Sequence, residues 1–324
     1  MLGLLVIATL FLGARADVEL DVLSEGYSAE THNVTTSDGY ILTVHRTYKN
    51  NTNGKAVFLM HGVALASNSF TYAGKKYAMA YNLADAGYDV WMGNARGNNY
   101  SHSHISLDSD TDDMNFFDFT YEEIGLYDLP AMIDYVLATT KKSKVHYIGH
   151  SLGGTAFLVL NSMNTKYQSK FASAHLLAGI GYETNFPNSE ISFLSIATDL
   201  MYNSLITAGD VEMKPIDFTA AFLKIFMNAT VPSALDGGAS VKEVTHICQN
   251  IRDGSFARWN YGAAGNMQKY GTSAPPAYDL SKINVTVTLH YSVSDATQSE
   301  ADVLAMAKAL PNAVARKVAN STFS

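Results

Sequence analysis

The pentapeptide Gly149-His150-Ser151-Leu152-Gly153 lies between a short β-run, Val145-His146-Tyr147-Ile148, and an apolar helical pattern from Thr155 to Leu160. Strand, tight turn and helix in that order lift a serine hydroxyl clear of a parallel sheet, where it can attack a carbonyl carbon. The flanking glycines suit such a turn, whose strained backbone leaves no room for Cβ atoms beside the nucleophile. Serine is a weak nucleophile at its free pKa, so Ser151 needs a base within hydrogen-bond reach and a third group to orient that base.

For the orienting acid the sequence offers Asp295, in Ser292-Val293-Ser294-Asp295, a polar loop after the apolar run from Val285 to Tyr291. Loops at the carboxyl ends of parallel strands are where such sheets present chemistry. A surface turn would use an aspartate there equally well. Asp302 is the rival, placed to open the next helix as a first-turn acid. The oxyanion of acyl transfer needs two backbone N–H donors. Leu152, directly after the serine, and Val63, after His61-Gly62, are the candidates. His61 and His150 read as turn-packing residues, since a base must approach from a separate loop. No histidine follows His290.

The elements that must hold these residues can be read around them. Thr31–Thr35 and Tyr40–Val44 form an antiparallel pair across Ser37-Asp38-Gly39. Ala56–Met60 is a continuous apolar run, as expected of a parallel strand buried on both faces. Lys75–Ala86 has a helical pattern, Tyr88–Trp91 is a short strand, and Tyr121–Ala138 is a long helix entered through Glu122 and Glu123. Ala172–Leu177 and Val285–Leu289 are later strands. This alternation predicts a mostly parallel sheet with helices on both faces. Between residues 181 and 258 the pattern becomes helical with no strand signal, as a cap inserted over a site would be. The core is then 17–180 with 259–324. Within the cap, Pro215–Met227 could present an amphipathic face to lipid or to the core.

Composition narrows the function classes. With 47% hydrophobic and 16% charged residues the 324-residue chain can bury a large core. A net charge of −8 with no Lys/Arg-rich run argues against a nucleic-acid partner. Met1–Ala16 reads as a secretory signal, an apolar run closed by Ala14-Arg15-Ala16, and no later segment is long enough to span a bilayer. Six Asn-x-Ser/Thr sequons fit that route: Asn33, Asn50, Asn99, Asn228, Asn284 and Asn320, with Asn99 in a motif that could be buried. Cys248 is the only cysteine, so no intrachain disulfide forms and a buried thiol is expected. No metal-ligand cluster or phosphate-cradling loop is present, and no cofactor is expected.

These residues resemble the eukaryotic acid lipase family, which includes gastric, lysosomal acid and insect digestive lipases. The resemblance runs through Thr36–Leu42, Met60-His61-Gly62, Leu83–Asn94, Arg96-Gly97-Asn98, Tyr127–Tyr135, Gly149–Gly153 and Tyr278-Asp279-Leu280. It implies an α/β-hydrolase fold and hydrolysis of acylglycerol or sterol esters at a lipid interface through a Ser-Asp-His triad, with Ser151 as nucleophile and Asp295 as acid. It also implies a secreted protein, or else a lysosomal one. The chain departs from the family pattern in Leu152, where glutamine is usual, and in a shorter cap with a lone cysteine. In the family an Asn-His-Leu-Asp-Phe motif carries the catalytic histidine, whereas here Lys317–Ser324 runs to the residue before it. The histidine is expected just after Ser324, and without it the chain is expected to be nearly inert. Two other readings are an inactive lipid-binding protein of lipase form, and a thioesterase or small-ester hydrolase.

Overall fold

A computed structural model of the chain describes residues 17–50, 52–213 and 237–319. Its frame is a sheet of strands β1 (Ser28–Thr35), β2 (Tyr40–Tyr48), β3 (Ala56–Met60), β4 (Asp89–Gly93), β5 (Ser103–His104), β6 (Val145–His150), β7 (Phe171–Leu177), β10 (Val287–Tyr291) and β11 (Ala313–Lys317). Two short strands, β8 (Glu212–Met213) and β9 (Ala239–Ser240), pair apart from it. The order across the sheet is β1-β2-β4-β3-β6-β7-β10-β11, with β5 beside β2. From β4 to β11 every neighbouring pair is parallel, and β1 and β2 add an antiparallel edge.

Alternation across β3 explains its unbroken apolar run. Ala56, Phe58 and Met60 enter a core shared with the nucleophile helix, while Val57 and Leu59 enter a second core with Val18, Val22 and Tyr81. Both faces are therefore covered, as an all-parallel region requires. The helices that bear on the site are α1 (Val18–Ser24), α2 (Met79–Asp85), α3 (Leu129–Thr140), α4 (Leu152–Met163), α5 (Ser189–Ser195), α6 (Thr198–Ala208), α7 (Val241–Asp253), α8 (Gly262–Tyr270) and α9 (Glu300–Ala309).

Three segments differ from the pattern reading. The stretch from Lys75 to Ala86 is two helices, because Ala78 takes an extended ψ of 133° and ends the first of them. The helix after Tyr121 carries a π-helical segment over Ile124–Asp128, where Gly125 lies against Val159 and Ala156 of α4 so closely that a Cβ would meet them at 2.9–3.0 Å. Among the described residues between 181 and 258 there are three helices, over Ser189–Ser195, Thr198–Ala208 and Val241–Asp253, and also the β8–β9 pair, too short to leave a sequence signal. The helix expected over Pro215–Met227 and the leader Met1–Ala16 lie outside the described residues.

Candidate active site

Three loops meet at the carboxyl edge of the sheet, after β3, β6 and β10. Strand β6 pairs with β3 on one side and β7 on the other, and β7 pairs with β10, so the loops lie in that spatial order.

Ser151 joins β6 to α4 with φ 49° and ψ −116°, a region that non-glycine residues avoid at a cost of ~1–3 kcal/mol. The turn is held by the Ser151 N–H donating to the Leu177 carbonyl at 2.9 Å and by the Gly154 N–H donating to the Ser151 carbonyl at 2.8 Å. Two glycines make it possible. A Cβ on Gly149 would stand 2.6 Å from the Gly153 and Gly154 backbone, and one on Gly153 would run into the Met60 carbonyl. The expected reason for the glycines is therefore found at both positions.

The loop after β3 crosses directly beside the serine, since a Cβ on Gly62 would be 3.1 Å from Ser151 Cβ. Neither the Val63 nor the Leu152 N–H donates to another group among the described residues. His61 fixes this loop from beneath. Its Nδ1 donates to the Gly62 carbonyl at 2.8 Å, and its Nε2 accepts from the Ala95 N–H and the Asn98 side chain at 3.1 Å each. Complete burial pushes its pKa down to about 4, so the ring stays neutral in this arrangement. Asn94 continues the network by accepting from the Ser67 N–H at 2.9 Å and donating to the Thr43 carbonyl at 2.9 Å. Arg96, buried between Asp38 and Asp128, locks the same segment to the β1–β2 turn and to the helix that begins at Leu129. His61 is thus a packing residue, as its place in the sequence suggests.

Asp295 is 5% exposed. Its Oδ1 accepts from the Thr297 N–H and hydroxyl, both at 2.8 Å, whereas its Oδ2 has no partner among the described residues. The charge reaches the serine turn: burial lowers the pKa of His150, and Asp295 opposes that shift. His150 makes no hydrogen bond to Asp295. The rival Asp302 is committed elsewhere, its carboxylate accepting from the Asn185 N–H at 2.8 Å and side-chain amide at 2.9 Å.

One acid here has no sequence signal. Glu183, buried in the exit from β7, has an unpartnered Oε1 and borders a pocket with Tyr121, Thr155, Asn250 and Phe256. Burial raises its pKa well above the usual range, and Asp302 and Asp295 add to the rise. Desolvation first, and the two nearby carboxylates second, favour its protonated form. Cys248 is a free thiol, half-buried rather than fully buried as expected, with a pKa pushed up to about 12 chiefly by desolvation. Of the sequons, Asn33, Asn50 and Asn284 are exposed, Asn99 is half-buried, and Asn228 and Asn320 lie outside the described residues.

Comparison with known proteins gives the same picture at the level of the chain. Residues 55–197 match the α/β-hydrolase fold family, and residues 21–74 match the partial α/β-hydrolase lipase region. Lipase 1 of Drosophila melanogaster is 39% identical, over 89% of this chain and 69% of its own length. Lipase 3 of the same fly is 36% identical over 89% and 82%. Gastric triacylglycerol lipase of Bos taurus is 30% identical over 90% and 81%. Among solved structures, DcsB in complex with a substrate analogue aligns with a TM-score of 0.56 at 12% identity, over 90% of both chains. Naproxen esterase from Bacillus subtilis aligns at 0.51 and 16% identity, over 94% and 90%; at such identities the likeness is one of fold.

Proposed function

The chain belongs to the acid lipase family of α/β-hydrolases, which makes it a carboxylic ester hydrolase by family, and from that premise we propose that it cleaves neutral lipid esters, acylglycerols or sterol esters, by acyl transfer through Ser151. In this reading the Ser151 hydroxyl attacks the ester carbonyl and a histidine takes its proton. The oxyanion is received by the Val63 and Leu152 N–H groups. The histidine returns the proton to the leaving alcohol, and water then releases the acid by the reverse sequence.

The observation that carries the reading is Oδ2 of Asp295. A buried carboxylate oxygen without a donor is costly, ~1–3 kcal/mol or more for a charged group, and calls for a specific reason. A histidine N–H is the donor that this mechanism supplies. None of the described histidines makes that bond, which also favours the second reading, a lipid-binding protein that holds esters without cleaving them. A thioesterase or small-ester hydrolase is the third.

Lipid as substrate is supported by residues 181–258, which we read as the cap. Phe193 of α5, Ile196 just after it and Leu200 of α6 are 73%, 68% and 71% exposed. Such an apolar ridge suits a neutral lipid surface. We assign Met1–Ala16 as a leader for secretion and Asn33, Asn50 and Asn284 as glycan sites, which a glycosidase mass shift on secreted protein would test.

The test of function is hydrolysis of a long-chain and a short-chain ester by the 324-residue chain and by the same chain continued by any coding sequence past the Ser324 codon, each beside Ser151→Ala. Turnover of the long-chain ester that Ser151→Ala abolishes supports the lipase. Lipid binding without turnover in every form replaces it with the second reading, and preference for the short ester or a thioester replaces it with the third.

A further inference from the structure

The oxyanion loop is stitched to a segment far away in sequence. The Gly237 N–H donates to the Ala64 carbonyl at 2.8 Å, and the Gly237 carbonyl accepts from the Asn99 N–H at 2.7 Å. The two peptides that flank Gly237 thus bridge the loop after β3 and the loop after β4, two residues before β9 begins. The seat admits only glycine: a Cβ at 237 would collide with the carbonyl of Leu65 and approach the Ala66 nitrogen at 3.1 Å, all of it backbone that no rotamer change can clear.

What this bridge holds is strained. Ala64, next to Val63, has φ 54°. An L-residue there lies ~1–2 kcal/mol above its relaxed backbone, and two bonds hold it: the Gly237 N–H on its own carbonyl and, across the turn, the Leu65 N–H on the Gly62 carbonyl at 3.2 Å. Without the Gly237 N–H only the longer Leu65 bond opposes a return of Ala64 to negative φ, a change that would turn the adjoining peptides and move the Val63 N–H relative to Ser151.

We propose that Gly237 is a positioning residue for acyl transfer: its backbone locks Ala64 in the left-handed region and so aims the Val63 N–H at the oxyanion. This rests on the reading of Ser151, Val63 and Leu152 given above. The cap's return segment and the oxyanion hole then form one mechanical unit, and by linkage whatever tightens one tightens the other.

The test is equilibrium binding to the full chain, which needs no turnover. Dodecylboronic acid forms a tetrahedral adduct with an activated serine and presents an oxygen to the hole, whereas 1-dodecanol occupies the site without it. Gly237→Ala is expected to weaken the boronate by tenfold or more and the alcohol by less than about twofold. Gly238→Ala is the control. It strains a neighbouring glycine of φ +76° whose Cβ would meet nothing closer than 3.6 Å, so it is expected to lower the melting temperature and leave the boronate-to-alcohol ratio unchanged. Equal loss of both ligands in Gly237→Ala, or the same ratio change in Gly238→Ala, overturns the proposal.

If Gly237→Ala does not fold, amide exchange in the unsubstituted chain decides. Boronate, and not the alcohol, is expected to slow exchange of the Gly237 N–H, and an unchanged rate overturns the proposal. Boronate binding that Ser151→Ala leaves intact is a different failure. It removes Ser151 as nucleophile, and with it the reading on which the proposal rests.

Discussion

Asp295 binds its own loop through one oxygen and leaves the other bare. This division of labour makes a sharp expectation for Asp295→Asn. The Thr297 bonds to the remaining oxygen survive, so the melting temperature should move little. In a form of the protein that carries the proposed triad histidine, an amide in place of Oδ2 would hold that histidine in the wrong tautomer, and turnover should fall by ~10⁴-fold. A melting shift as large as that of a core deletion would mean that the carboxylate is structural. His61 gives the opposite expectation. His61→Ala leaves the Ala95 N–H and the Asn98 amide without an acceptor in a dry interior, at ~2–4 kcal/mol, readable as a lowered urea midpoint. Its titration works in the same direction. The unfolded ring takes a proton near pH 6.5 and the folded ring not until about 4, so its contribution is full above 6.5 and is lost as pH falls through that window.

At the scale of elements, the β6–α4 turn tolerates no side chain at 153. Gly153→Ala should destabilise the fold severely or prevent it, because the Met60 carbonyl belongs to the central strand and cannot retreat. Circular dichroism of the expressed variant would show this, and native stability would contradict the packing argument. The helices α5 and α6 support a gentler experiment. Replacing Phe193 and Leu200 with serine should leave stability nearly unchanged, since both are largely exposed, and should reduce hydrolysis of emulsified long-chain ester more than that of a soluble short ester. Equal loss on both would remove the ridge as a lipid contact. Much of this frame was legible beforehand, because β3, β4 and β6 are bounded apolar runs and the glycines around Ser151 act on neighbours in sequence. The π-turn at Gly125, the acid Glu183 and the bridge at Gly237 were not. Each is defined by a partner in a distant segment, Val159, Asp302 or Ala64, and a local pattern carries no trace of such a meeting. The break at Ala78 was also hidden, for alanine is a good helix former and only its tertiary setting extends it.

The whole molecule holds two opposed sets of buried titratable groups. His45 and His61, with pKa values near 4, and His246, near 3, weaken the fold as pH drops below 6.5. Glu243 acts in reverse. Burial lifts it to about 8, with help from Asp128, so the folded chain holds a proton that the unfolded chain releases above ~4.5. Its contribution is greatest in acid and is lost as pH rises towards 8. Stability should therefore peak near pH 6.5. Glu243→Gln should gain a few kcal/mol at pH 8 and almost nothing at pH 5, which melts at the two pH values would reveal, and an equal shift at both would refute the assignment. The sheet order has one more consequence, in time rather than space. Ser151 and Asp295 are separated by about 140 residues of chain, and β10 joins the sheet only by pairing with β7. At ~5–20 residues per second on the ribosome, Ser151 is made roughly 7–30 s before Asp295. On the proposed reading, acyl transfer through Ser151 therefore waits until β10 and the loop that follows it have been made and paired.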